Sequence, residues 1–187
     1  MAKKEVYLHK HIEKNMEKSN IPLWIDSYDD IFSDFDPRHY DNRALSDDFL
    51  QEVKRASRDK DGDGIELRFL VPKKNRNLHI ESVIKKRLHE HFNKHFHQLK
   101  DEVNGIVHRG IIFTVAGIFT MILATILMFY YSHANIFISF FIILFEPGGW
   151  FLFWEGLGQI IFEPKTKKHE VEFYHKMSRS EIYFMTY

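Results

Sequence analysis

Apolar positions along this chain follow three rhythms, and each predicts a different element. Ile65, Leu67 and Phe69 alternate with polar neighbours, the two-residue period of a half-buried strand over residues 65–71. Ile84, Leu88, Phe92, Phe96, Leu99, Val103 and Ile106 recur every three or four residues, the stripe of a long amphipathic helix. From Gly110 onward the polar positions almost vanish. Residues 110–164 contain no lysine or arginine, although these types make up 26 of the 187 residues. Two apolar runs, Gly110–Tyr131 and Ile136–Phe162, flank a short linker, Ser132–Asn135.

Helical geometry makes the first run about 33 Å long and the second about 40 Å, against a hydrocarbon core of about 30 Å. So short a linker requires the two runs to be antiparallel neighbours. The pattern predicts an integral membrane α-helical hairpin of two transmembrane helices. It carries a small cytoplasmic α+β domain formed by the N-terminal region and the C-terminal tail. A long buried hairpin of a soluble protein is the alternative. Lys94, Lys100 and Arg109 precede the first run, Lys165, Lys167 and Lys168 follow the second, and the linker has no basic residue. The positive-inside rule then places both termini in the cytoplasm, in a two-span protein of the cell membrane. Tyr130 and Tyr131 suit the far interface. Trp150 and Trp154 suit either the near interface or packing inside a bundle.

The expected organisation runs as follows. Residues 1–20 are a charged, helical segment. Residues 21–109 are the α+β domain, ending in the long helix, with a bend expected at Asn104-Gly105 or Arg109-Gly110. Residues 110–131 and 136–162 are the spans, 132–135 an external linker, and 163–187 the returning tail. Within the domain, Ile21–Asp26 reads as a short strand. Ser46 is placed to cap a helix that ends near Arg58. Val171, Phe173 and Tyr174 suggest a helix or strand, and the chain closes with a strand that joins the sheet of residues 65–71.

Charge and composition narrow the function. The 26 basic and 26 acidic residues balance, so no general attraction to nucleic acid is expected. The chain has no cysteine, which excludes disulfides, thiol catalysis and cysteine-ligated metal. MAKKEVYLHKHIEKN has no apolar core, so a cleaved export signal is not expected. Neither G-x-S-x-G, a P-loop nor a dinucleotide fingerprint occurs, and no cofactor is expected.

The strongest functional pointer is Glu146-Pro147-Gly148-Gly149, near the middle of the second run. Proline removes a backbone donor and the glycines loosen the chain, so a break in the helix is expected there. Irregular backbone and a carboxylate at membrane depth are tolerated only inside protein or beside water. A pore, proton site or ion site around Glu146 is one reading, with Glu155 nearer the cytoplasm and Gln159 one turn beyond it. A structural kink with a neutral or paired Glu146 is the other. Ala116, Thr120 and Ala124, with Gly117 adjacent, form a small-residue stripe that packs either within the hairpin or between subunits; homo-oligomerisation is favoured.

Weaker patterns lie in the soluble part. Asp59, Asp61, Asp63 and Gly64 open like a calcium loop, but its twelfth position is Leu70 instead of a glutamate, so a polar turn competes. His91 and His95 lie one helical turn apart and could share a zinc ion, a pH-sensitive interface or only a solvated helix edge. Asp26, Asp29, Asp30, Asp34 and Asp36 either gather cations or shape turns.

The strings ALSDDFL (44–50) and EPGGWFLFWEGLGQIIF (146–162) resemble those of small two-span membrane proteins in uncharacterised prokaryotic families. The resemblance implies a small membrane protein and brings no activity, ligand or catalytic residue. Three functions therefore stand as expectations. The first is a homo-oligomeric, channel-like assembly in the lipid bilayer with a regulatory cytoplasmic domain. The second is a membrane-anchored scaffold whose domain binds a cytoplasmic protein partner. The third is a metal-dependent membrane-anchored enzyme.

Overall fold

The computed structural model describes residues 20–58, 60, 65–131 and 136–187. The expected helix over 1–20, apart from Asn20, the external linker 132–135 and most of the aspartate turn at 59–64 lie outside the described residues.

The chain divides into two compact units. The first, running to Phe96 and resuming at Glu172, is built on three strands: β1 (Asn20–Trp24), β2 (Glu66–Val71) and β3 (Glu181–Thr186). Their order is β1-β2-β3, and both pairings are parallel. Ile21, Leu67 and Ile182 stand in one row across the sheet, with Leu23, Phe69 and Phe184 in the next. Parallel neighbours need crossover connections. Helix α1 (Asp47–Arg58) lies in the first crossover. The second contains α2 (Leu78–Tyr131), α3 (Ile136–Ile161) and α4 (Glu163–Ser178). The expected α+β arrangement is thus corrected: helices alternate with parallel strands, as in α/β folds. The apolar hairpin is inserted into a sheet crossover.

The predicted alternation holds on all three strands. Ile21, Leu23, Leu67, Phe69, Val71, Ile182 and Phe184 are buried on one face. Phe49 and Val53 of α1, Ile84, Leu88 and Phe92 of α2, and Phe173 and Met177 of α4 close the same core. Phe69 stacks on Phe184 with ring centroids 5.0 Å apart, and Phe49 stacks on Phe69 at 6.0 Å.

The segment after β1 shows what the aspartates do. Ser27 caps a short 3-10 turn, Tyr28–Ile31, in a capping box with Asp30. Asp29 accepts from Arg43 at 2.5 Å and from Tyr40 at 3.2 Å. Asp36 accepts from Arg38 and from the Ala44 amide. Asp26 accepts from the Tyr187 hydroxyl. Four of the five carboxylates are thus engaged in hydrogen bonds, most of them local and one reaching the end of the chain, the turn-shaping role.

The second unit, His97–Val171, contains the apolar parts of α2 and α3. Helix α2 runs as one helix through Asn104-Gly105 and Arg109-Gly110, and one expectation is corrected here. Helix α3 continues through residues 146–149, with Pro147 inside it. Proline costs one hydrogen bond and a steric adjustment but need not end a helix whose remaining backbone bonds persist; apolar helices tolerate it for that reason.

Candidate functional site

The two apolar helices pack through glycine. Gly110 and Gly117 on α2 are seven residues apart, as are Gly149 and Gly156 on α3. All four are buried. A methyl group on Gly117 would stand 2.7 Å from the Gly149 carbonyl oxygen and 2.5 Å from the Phe153 amide nitrogen. One on Gly110 would stand 2.8 Å from the Gly156 carbonyl oxygen. Ala124 extends the same seven-residue spacing and is buried. A constant seven-residue step keeps one helix face on its partner, and small side chains let the backbones approach.

The seam takes up part of the small-residue stripe. Gly117 and Ala124 are buried within the hairpin, whereas Ala116 and Thr120 are partly exposed at its margin. The Thr120 hydroxyl donates to the Ala116 carbonyl at 2.8 Å, inside its own helix. Thr114 and Thr125 donate likewise to Gly110 and Met121. Back-bonding satisfies hydroxyls without water, as an apolar surrounding demands.

The carboxylates lie elsewhere. Glu146 and Glu155 are both exposed on the outside of the hairpin, away from the glycine seam. Gln159 donates to Glu155 at 3.0 Å, and its own side-chain oxygen is buried without a hydrogen-bond partner among the described residues. Glu146 makes no hydrogen bond or ion pair with any described residue. It sits about 15 Å along α3 from Ile136 and about 22 Å from Ile161, near mid-helix. Because α3 is continuous, the nine-residue step from Glu146 to Glu155 is close to half a turn. The two carboxylates therefore occupy opposite flanks and do not form one site on one helix. Gly148 is also outside the seam, since a methyl group there would meet nothing within 4 Å, while Gly149 is part of it.

Around Glu146 the surface is aromatic and aliphatic. Trp150, Phe151 and Trp154 are more than half exposed, as are Phe140 and Ile143. Helices α2 and α3 are long and apolar enough to cross a membrane, and only 11% and 6% of their most apolar windows are buried within the structure. A core hairpin of a soluble protein would be mostly buried.

The histidine pair sits in the first unit. The rings of His91 and His95 are 4.3 Å apart, and Tyr174 of α4 stacks on His95 at 5.3 Å. Burial, with the neighbouring charges of His95, Arg87 and Lys94, lowers the His91 pKa from 6.5 to about 4. Its Nε2 is buried without a hydrogen-bond partner among the described residues. Among the described residues no three His, Cys, Asp or Glu side chains gather as metal ligands, so His91 and His95 remain a pair. Asp59, Asp61 and Asp63 lie outside the described residues.

A polar knot that the sequence did not advertise ties the β1 segment to the start of α2. The Tyr28 hydroxyl donates to Glu81 at 2.8 Å and accepts from the Asn77 amide at 2.9 Å. Arg76 pairs with the same carboxylate through both Nε and Nη2. Glu81 is almost wholly buried. The signal for this knot is spread over residues 53 apart in sequence, which no local pattern exposes.

No protein-family model, curated protein or solved structure matches this chain.

Proposed function

We propose that α2 and α3 cross the cell membrane as a two-span hairpin, with both chain ends cytoplasmic, and that several copies associate around Glu146 into a channel-like assembly. The carrying observation is the position of Glu146, exposed near the middle of an apolar helix, outside the seam that holds the hairpin together. A carboxylate at that depth facing lipid costs several kcal/mol on most scales, ~2.5 or more, and is relieved where another helix or water covers it. The hairpin's buried glycines are occupied by α2–α3 packing, so in this reading the cover for Glu146 comes from other copies. Glu155 and Gln159, on the opposite flank and nearer the end of α3, belong to a different contact from Glu146.

The test is ion or proton flux through purified protein in liposomes. Glu146→Gln removes the charge and preserves shape. Conduction centred on Glu146 requires its flux to fall about tenfold or more, or to lose its pH dependence, with assembly intact. Unaltered flux from a correctly assembled variant removes Glu146 from the mechanism.

A second reading is an oligomeric anchor whose cytoplasmic α/β domain binds a protein partner. It is favoured by the first unit, which closes a core of its own from both ends of the chain. Assembled particles with no flux for any small ion would select it.

A further inference from the structure

Glu146 precedes Pro147 inside a helix that continues past both. Proline has no amide hydrogen, so the Ile143 carbonyl lacks the donor that the residue four positions on supplies elsewhere in a helix. Helical side chains lean toward the N-terminus, and residues three apart share a face. The Glu146 carboxyl therefore stands over the turn that holds this carbonyl. Ile143 and Glu146 are both exposed. An ionised carboxylate and a carbonyl are both acceptors and have nothing to share. A proton on the carboxyl makes it a donor and matches the two groups.

We propose that the Glu146 carboxyl and the Ile143 carbonyl form a proton-relay site, and that the proton is the ion conducted. The relay rests on the association of copies around Glu146 proposed above. A hydronium ion on one side passes its proton to the carboxylate and becomes water. The resulting carboxylic acid donates its O–H to the Ile143 carbonyl while the proton is held. Transfer to a water molecule on the other side restores the carboxylate and forms a hydronium ion there.

The surroundings favour a proton over a metal cation. A cation that sheds its water needs several oxygens in replacement, and its passage uses successive sites. The nearest side-chain oxygen on the same flank of α3 belongs to Ser139, seven residues and about 10 Å away. Glu155 lies on the opposite flank. Helix α3 thus offers one carboxylate at mid-helix and no succession of rings. Ile143 and Trp150, about one turn to either side of Glu146, are 71% and 55% exposed. They frame the carboxylate with apolar surface, which holds back hydrated ions by dewetting. A proton needs only a titratable group with water on each side, as in the carboxylate relays of pumps and transporters.

The test uses the full-length protein in liposomes, with a pH-sensitive dye inside and the particle mass checked for each variant. Proton uptake driven by a membrane potential is expected, with sodium and calcium uptake about a hundredfold slower or less. Glu146→Gln is expected to abolish proton uptake. Pro147→Ala returns an amide donor to the Ile143 carbonyl and leaves Glu146 in place, so proton uptake is expected to fall about fivefold, the worth of one hydrogen bond. Sodium or calcium uptake as fast as that of protons overturns the relay and leaves a channel of another selectivity. Undiminished proton uptake by Pro147→Ala removes the carbonyl and overturns the relay. Assembled particles that pass no ion at all overturn the channel reading, and the relay with it.

Discussion

At the residue scale, two side chains in the first unit have consequences that solution measurements read directly. Glu81 is buried and depends on Tyr28 and Arg76 for its hydrogen bonds. Removing a partner from a buried charge costs more than the pair itself contributes, because the remaining charge is stranded. Arg76→Ala is expected to destabilise the domain by roughly 3 kcal/mol, and Tyr28→Phe by about 1–2 kcal/mol. Thermal or denaturant unfolding checks both, and Tyr28→Phe proving the costlier of the two would contradict the assignment of charge. His91 makes stability depend on pH. Its folded pKa lies below its unfolded value, so the neutral ring's contribution is complete above about pH 6.5 and is lost as pH falls toward 4. Between pH 7 and 5 the wild type should lose about 1 kcal/mol more than His91→Phe, allowing for solvent screening at a partly exposed ring. Parallel melting curves of the two proteins would contradict this. The spacing of His91 and His95 was legible in the sequence. Burial of His91 was not, because Tyr174, which packs at its ring, arrives from α4 more than 80 residues later.

At the element scale, the seam between α2 and α3 explains why glycine recurs every seven residues. A side chain on Gly117 meets backbone atoms of Gly149 and Phe153, which cannot rotate away. Gly117→Ala is expected to destabilise hairpin packing by about 1–3 kcal/mol, as overpacking does. Gly105→Ala, where a methyl group meets nothing within 4 Å, should be neutral or stabilise by up to ~1 kcal/mol. Unfolding in mild detergent followed by tryptophan fluorescence compares them, and equal effects would contradict the seam. The helix at 47–58, the strand at 65–71 and the terminal strand were legible because their apolar periods are unbroken. Strand direction was not legible: alternation is the same in parallel and antiparallel sheets, and only the long helical crossovers decide it. The continuity of α3 was hidden for a different reason. Proline and paired glycines mark a break in water, where competing hydrogen bonds reward fraying, but an apolar surrounding offers the backbone no alternative partner.

At the scale of the whole molecule, a parallel α/β domain carries a two-helix apolar insertion in its second crossover. The two apolar helices were readable from hydropathy, and their antiparallel packing from the shortness of the linker. The carboxylates of the second apolar helix were readable as residues, but their geometry depended on whether that helix breaks. Their nine-residue spacing sets Glu146 and Glu155 on opposite flanks of an unbroken helix, and it is the continuity of α3 that the sequence did not reveal. The small-residue stripe suggested subunit contacts, yet its most buried members close the hairpin itself. The proposed self-association would then rest on the outer surface, where Glu146 has aromatic neighbours and no polar partner among the described residues. The mass of the intact particle in lipid nanodiscs, corrected for lipid, tests this most directly. Association around Glu146 predicts a defined closed ring of about four or more subunits. A monomer, or a dimer with no enclosed path, would contradict it.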